Sequence, residues 1–194
     1  MVAAIDVARY LIHLASPAGD EEADSLTHWQ LQKLLYYAQG WHLAARGRPL
    51  FEGHIEAWAN GPVVREVFSI FRGRFTLSPE EGDAPPSLSA QDKSFLKSVW
   101  GAYRKHSASA LADKTHKEAP WLAARGDTPP GARSEVEITH ESLRAFFQPR
   151  LASLIPSDDL RIDKSAWIQS AADIAAGRVR TAQEARSGVQ RNSL

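Results

Sequence analysis

The chain of 194 residues contains no cysteine. Disulfide bonds, thiolate zinc sites and cysteine nucleophiles are therefore excluded, which argues against a small secreted scaffold and is compatible with a reducing cytoplasm. Basic and acidic residues balance at 23 each, so the formal net charge is zero. Because phosphate neutralisation dominates nucleic-acid affinity, a chain without a basic excess is not expected to bind nucleic acid in general.

Long apolar runs are also missing from the sequence. No stretch approaches the ~18 consecutive apolar residues of a membrane span. Asp6 and Arg9 interrupt the apolar N-terminal stretch, and no basic segment precedes it, so we do not expect a signal peptide. The sequence therefore predicts a cytoplasmic protein with no membrane partner.

Hydrophobic residues make up 43% of the chain and include six tryptophans. At this length they suffice for a core without covalent staples. The composition shifts after Pro156 towards an alanine-rich segment and an arginine-rich end. We therefore predict a mainly α fold: a compact helical domain over 1–155 with a small β-hairpin or short strands, followed over 156–194 by a C-terminal helix and a flexible basic tail.

Helical signals are clear in the first half of the chain. Residues 4–15 carry apolar side chains at helical spacing. Thr27, with Gln30 three residues later, forms a capping-box signature for a second helix, and Gly47 is a natural residue just past its C-terminus. Further helices are predicted after Ser89, near 109–117 with Pro120 as their stop, after Thr139 with Pro149 ending or kinking the helix, and over 163–176.

Between the second and third helices the period changes. Ile55–Trp58 alternates like a short strand, and Leu50-Phe51 is its predicted hairpin partner across a turn at Glu52-Gly53. Pro62 suits the first position of the next helix. The predicted buried stripe of that helix is Val63, Val67, Ile70 and Phe71, and a brief edge strand is predicted at Val136 and Ile138.

No motif of catalysis is present. The seven histidines include no HExxH or other close chelating pair, and the chain has no GxSxG, Walker or GxGxxG sequence. We therefore predict no catalytic residue, no bound metal and no cofactor.

Three local features remain, and each has a structural and a functional interpretation. Residues 58–62 form either a tight turn with a core tryptophan or a rigid corner that presents Trp58 and Asn60 to a partner. Residues 115–121 form either a helix end with a buried Trp121 or a polar pocket facing that corner. Residues 178–194 form either a solvated end or an anchor for a partner protein or for nucleic acid.

The sequence resembles the Panacea domain family of SocA-like antitoxins over roughly residues 5–150. The resemblance depends on separated motifs in the right order: Leu31–Ala38 with Trp41, Pro49-Leu50-Phe51, Ile55–Trp58 followed by Asn60-Gly61-Pro62-Val63, and Thr115–Trp121. It implies a mainly helical domain that neutralises a cognate protein toxin. For SocA-like members it further implies a proteolytic adaptor that binds a SocB-like toxin and delivers it to the ClpX unfoldase of the ClpXP protease.

A binding role predicts two surfaces. The residues expected to contact the toxin are Tyr37, Trp58, Asn60, His116, Glu118 and Trp121. The compositional break at Gly177 suggests that the tail tethers the protease, because tethering raises effective concentration without a large interface. The candidate tether residues are Arg178, Arg180, Arg186 and Arg191.

Three further hypotheses are compatible with the sequence. In the first, the chain is a Panacea antitoxin that blocks a different toxin directly. In the second it is a small hydrolase-like enzyme, and in the third it is a DNA-binding autoregulator. The enzyme would use His116 and Glu118 with the hydroxyl of Tyr36 or Tyr37. The DNA-binding protein would use Arg65, Arg72, Arg74 and the tail.

Overall fold

A computed structural model describes residues 1–15 and 26–154, with side chains as far as residue 151. The helix predicted at 163–176 and the basic tail, with its four candidate tether arginines, lie outside the described residues. Within them the fold is mainly α, as predicted. The helices are α1 Ala4–Ala15, α2 His28–Arg46, α3 Arg65–Ile70, α4 Ala90–Tyr103, α5 Ala108–Thr115, α6 Ala119–Arg125 and α7 His140–Leu154.

The strands are short and pair two by two. Val2–Ala3 (β1) runs parallel to Phe51–Glu52 (β3), and Leu26–Thr27 (β2) runs antiparallel to Thr76–Leu77 (β6). Ile55–Trp58 (β4) and Gly61–Val64 (β5) form an antiparallel hairpin.

Helix α2 is the centre of the fold and contacts α1, α4, α5 and α7. Its predicted caps are both present. Thr27 Oγ1 accepts from the Gln30 N–H at 3.2 Å, which completes the capping box, and Gly47 at φ 66° donates its N–H to the Leu43 carbonyl at 2.9 Å. Most side chains of α2 are buried.

Buried glutamines of α2 explain where the strands lie. Gln39 accepts from the Leu50 N–H at 2.9 Å and donates to the Phe51 carbonyl at 3.1 Å. Gln32 accepts from the Val64 N–H at 2.9 Å. Buried polar groups need such partners, so each amide fixes one short strand on the central helix.

The predicted hairpin partner was wrong. Phe51 pairs with Val2, and Ile55–Trp58 pairs instead with Gly61–Val64, so the hairpin turn falls at residues 59 and 60. Pro62 accordingly lies in a strand opposite Ala57, and α3 begins only at Arg65. The physical reason is that Gln39 already holds the backbone of residues 50 and 51, which leaves β4 to pair with the chain that follows it.

The helices predicted after Ser89 and Thr139 are present, and both residues accept from a backbone N–H in the first turn, as Ser107 does at the start of α5. Two details were wrong: Ile70 is 53% exposed, and Pro120 lies in the first turn of α6 instead of stopping a helix. Pro149 does not end α7, which continues to Leu154. Residues 136–138 lie alongside β4, with Ala57 N–H donating to the Val136 carbonyl at 2.9 Å and Ile138 N–H to the Ile55 carbonyl at 2.7 Å.

Candidate partner-binding site

The β4–β5 hairpin ends in a two-residue turn whose tip is Asn60. Trp58 pairs with Gly61 across the turn, and Asn60 is exposed. Gly61 has φ +95°, and a Cβ built on it would lie 2.7 Å from Lys33 Cε and 2.9 Å from Thr115 Oγ1. Only glycine fits this conformation and this spacing, so the turn packs directly against α2 and α5.

Residues 116–121 comprise the short connection between α5 and α6 and the first turn of α6, and they meet the hairpin from the side. Trp121 donates its indole N–H to the Trp58 carbonyl at 3.0 Å. The imidazole of His116 stacks on Trp121, with 4.2 Å between ring centroids. The structure therefore brings together the two predicted motifs, and we call Trp58–Gly61 with His116 and Trp121 the corner.

Arg125, which the sequence did not single out, holds the corner from behind. It is 6% exposed and donates to the Ala57 carbonyl at 3.2 Å, and to the carbonyls of Pro129 and Ala132 at 2.8 and 3.0 Å. Its guanidinium carbon lies 5.2 Å from the centroid of Trp121. Because its hydrogen-bond acceptors are all backbone carbonyls, no sequence pattern could have revealed this role.

Glu118 points into the core instead of into the corner. Its two carboxylate oxygens accept from the hydroxyls of Tyr36 at 2.8 Å and Tyr37 at 3.1 Å. Burial raises the pKa of Glu118, and the two tyrosine hydrogen bonds oppose that rise. Burial and the neighbouring carboxylate raise the pKa of both tyrosines. Tyr37 also stacks on Tyr103, with 4.1 Å between ring centroids. We call Glu118, Tyr36 and Tyr37 the buried polar cluster.

Lys33 lies beneath the turn with 1% of its surface exposed. Its Nζ donates to the Pro62 carbonyl at 3.1 Å and lies 5.4 Å from the centroid of Trp29. Burial lowers the pKa of Lys33 to about 7. Burial, followed by the charge of Lys33, lowers the pKa of His116. Lys33 was not predicted, although a lysine inside the largely apolar run Leu31–Ala38 was a usable signal.

Exposure separates the six predicted contact residues. Asn60 is exposed, and Trp58 and His116 are half-buried. Trp121 and Glu118 are 9% and 8% exposed, and Tyr37 is fully buried. That all six contact a partner stays a prediction, but of these six only Trp58, Asn60 and His116 are accessible to a partner without rearrangement of the fold.

Trp58 itself is fixed by a surface network. Its indole N–H donates to Glu56 Oε2 at 2.6 Å, and its ring meets Phe68 edge to face at 4.8 Å. Arg65 donates to both oxygens of Glu56, at 2.7 and 2.9 Å, and pairs with Glu135 at 2.8 Å. A bidentate pair of this kind fixes orientation as well as charge, so Trp58 presents one face of its ring.

The geometry bears on the enzyme and DNA-binding hypotheses. The Glu118 oxygens bind tyrosines and not His116, and the tyrosine pKa values move upward, away from what a nucleophile needs. No metal-binding group of three or more His, Cys, Asp or Glu residues occurs in the described part of the chain. Of the arginines considered for DNA binding, Arg65 is paired with acids and Arg74 with Glu81.

The fold and the corner define a class: a mainly helical domain with a small β-hairpin that packs against α2, α5 and α6. Residues 31–122 match the family described as "Antitoxin SocA-like, Panacea domain", so this part of the chain is similar to that family. The match covers α2 from Leu31 onwards, the corner, α3 to α5 and the first four residues of α6.

A curated relative agrees with this assignment. The chain is 48% identical over 46 residues to "Antitoxin SocA" of Caulobacter vibrioides strain NA1000 / CB15N. That stretch covers 24% of this chain and 24% of the relative, so the similarity concerns about a quarter of each protein. No solved structure matches the chain. Among the described helices, none has the length and apolar character needed to cross a bilayer.

Proposed function

We propose that this chain is an antitoxin that neutralises a protein toxin by binding it at the corner. The family description supports an antitoxin role. The observation that carries the choice of surface is the bracing of the hairpin by Trp121 and Arg125, which bind the carbonyls of Trp58 and Ala57. A loop that is already ordered loses less entropy on binding, so such a corner binds more tightly than a mobile loop.

Trp58 and Asn60 supply the contact chemistry. Interfaces draw much of their energy from a few aromatic anchors surrounded by polar contacts. Trp58 is half-buried with its orientation fixed, and the exposed Asn60 beside it can donate and accept hydrogen bonds. A toxin that covers the turn would therefore bury the tryptophan ring and pair with the amide.

The first test is co-expression and co-purification with the product of the adjacent gene. Asn60→Glu should weaken that complex about tenfold or more, because it places an uncompensated charge in the contact. Gln148→Glu, which adds the same negative charge at an exposed amide on α7, should leave affinity unchanged. Equal affinities for the wild type and both variants, measured by calorimetry, would remove the corner from the interface.

The finer proposal is that the toxin is SocB-like and that the chain delivers it to ClpXP, which acts in the cytoplasm. The arginine-rich residues 178–194 are the proposed tether. Deleting them should leave toxin affinity intact and slow toxin degradation in a purified ClpXP assay. Undiminished degradation would contradict the tether, and neutralisation without any degradation would favour direct blocking.

A further inference from the structure

The outer face of α4 carries a line of basic side chains. Lys93, Lys97, Gly101 and Arg104 follow one another at three- and four-residue intervals, so they share one side of the helix. From Lys93 to Arg104 the line is ~16 Å long at 1.5 Å per residue. Lys97, Gly101 and Arg104 are exposed, and Lys93 is half-buried. Arg104 caps the C-terminus of α4, and the exposed Lys105 comes next.

This charge is concentrated in a chain that is neutral as a whole. Residues 93–105 contain four basic residues and no acidic one. The nearest acid in sequence, Asp92, is occupied by Arg46 at 2.6 Å and by the Ser89 hydroxyl at 2.7 Å. Asp92 is therefore already paired, and no acidic residue lies between Lys93 and Lys105 in the sequence.

Gly101 is an independent observation on the same face. A glycine inside an exposed helix is unfavourable relative to alanine. A Cβ added at Gly101 would meet no atom within 4 Å, so the packing of the described chain does not require glycine there. A missing side chain between two cations does, however, let the backbone of another molecule approach the helix closely.

We propose that this outer face of α4 is a docking surface for an acidic segment of a partner protein. Four cations in one short line are fewer than the 6–10 phosphate contacts that strong nucleic-acid binders make, and the chain has no overall basic excess. A peptide backbone seated at Gly101 places its carboxylates beside Lys97 and Lys105. The surface contains no residue of the corner, so it provides a second contact that does not depend on the toxin proposal.

The test uses the full chain and fluorescein-labelled poly-L-glutamate, followed by fluorescence anisotropy at low and at physiological salt. Lys97→Glu with Lys105→Glu should weaken binding by about tenfold or more, since it reverses two charges on the line. The matched control is Lys114→Glu with Lys117→Glu, the same charge change at exposed positions in and just after α5. That pair should weaken binding by less than about threefold, through the general change in charge alone.

A neutral variant separates contact from long-range attraction. Gly101→Leu keeps the charge and adds bulk, so it should weaken poly-L-glutamate binding by about threefold or more while circular dichroism shows an intact fold. Three outcomes would overturn the proposal: equal losses in the two charge-reversal pairs, unchanged binding in Gly101→Leu, or tighter and more salt-dependent binding of a DNA duplex than of poly-L-glutamate.

Discussion

Lys33 is a lysine held where its charge is costly. With 1% of its surface exposed, it has a pKa of about 7 in the folded chain, against an ordinary value of 10.5. Between these two values the unfolded chain binds a proton that the folded chain does not. Stability therefore rises as the pH rises through this window, and below about pH 7 the full cost of the buried charge is present.

Replacing Lys33 by methionine should remove this dependence. The wild-type free energy of unfolding should gain up to ~1.4 kcal/mol per pH unit between pH 7 and 10 relative to Lys33→Met. At pH 6 the variant should be at least as stable as the wild type, because the lost hydrogen bond to the Pro62 carbonyl costs only about 1–3 kcal/mol. Urea denaturation across this pH range is the measurement.

The control for this prediction is an exposed lysine. Lys97→Met makes the same substitution at an exposed position and serves as the matched control. If Lys33→Met and the wild type show parallel curves between pH 7 and 10, Lys33 is charged in the folded protein at neutral pH and the burial argument is wrong.

At the scale of single elements, we expect the substitution of glycine by alanine to have opposite effects on stability at two positions. Gly61→Ala should destabilise the fold by about 2 kcal/mol or more, because it places a Cβ at φ +95° and against Lys33 and Thr115. Gly101→Ala should stabilise it by about 0.5–1 kcal/mol, because the site is open and helical. Chemical denaturation of both variants checks the pair, and a harmless Gly61→Ala would contradict the proposed packing of the turn.

The elements also show how far sequence reasoning reaches. The starts of α2, α4 and α7 were predictable because caps are local: one side chain binds a backbone N–H three residues away. The partner of β4 was not predictable, because it depends on a contact between distant residues. Gln39 binds the backbone of Leu50 and Phe51, which lie 11 and 12 residues further along the chain. The predictions made from two prolines were wrong for a related reason. Pro62 and Pro120 each suit two local structures, and tertiary packing selects one of them.

The corner was predicted in part for the same reasons. The sequence singled out both motifs, residues 58–62 and 115–121, and the structure brings them into contact through Trp121 and Trp58. The sequence did not show that Glu118 turns inward to Tyr36 and Tyr37, because periodicity does not say which face of a helix start is covered by another helix. The burial of Glu118 follows from the whole molecule.

At the scale of the whole molecule, α7 closes the core over the same region. Its Phe147 contacts the rings of Tyr36, Tyr37 and Trp41, with centroid separations of 5.7, 6.1 and 4.9 Å. This helix lies beyond residues 31–122, where the family match ends. A segment outside the matched residues therefore covers the buried polar cluster. The packing of α7 should for this reason influence the stability of the whole fold.

Gly40 allows that contact. A Cβ on Gly40 would lie 2.2 Å from Phe147 Cε2, so Gly40→Ala should cost about 1–3 kcal/mol in spite of the better helix propensity of alanine. Phe147→Leu should also destabilise, by leaving space in the core. The double variant should lose less than the sum of the two, because the smaller side chain makes room for the added methyl group. Urea denaturation of the four proteins measures this coupling, and additive losses would show that α7 does not rest on Gly40.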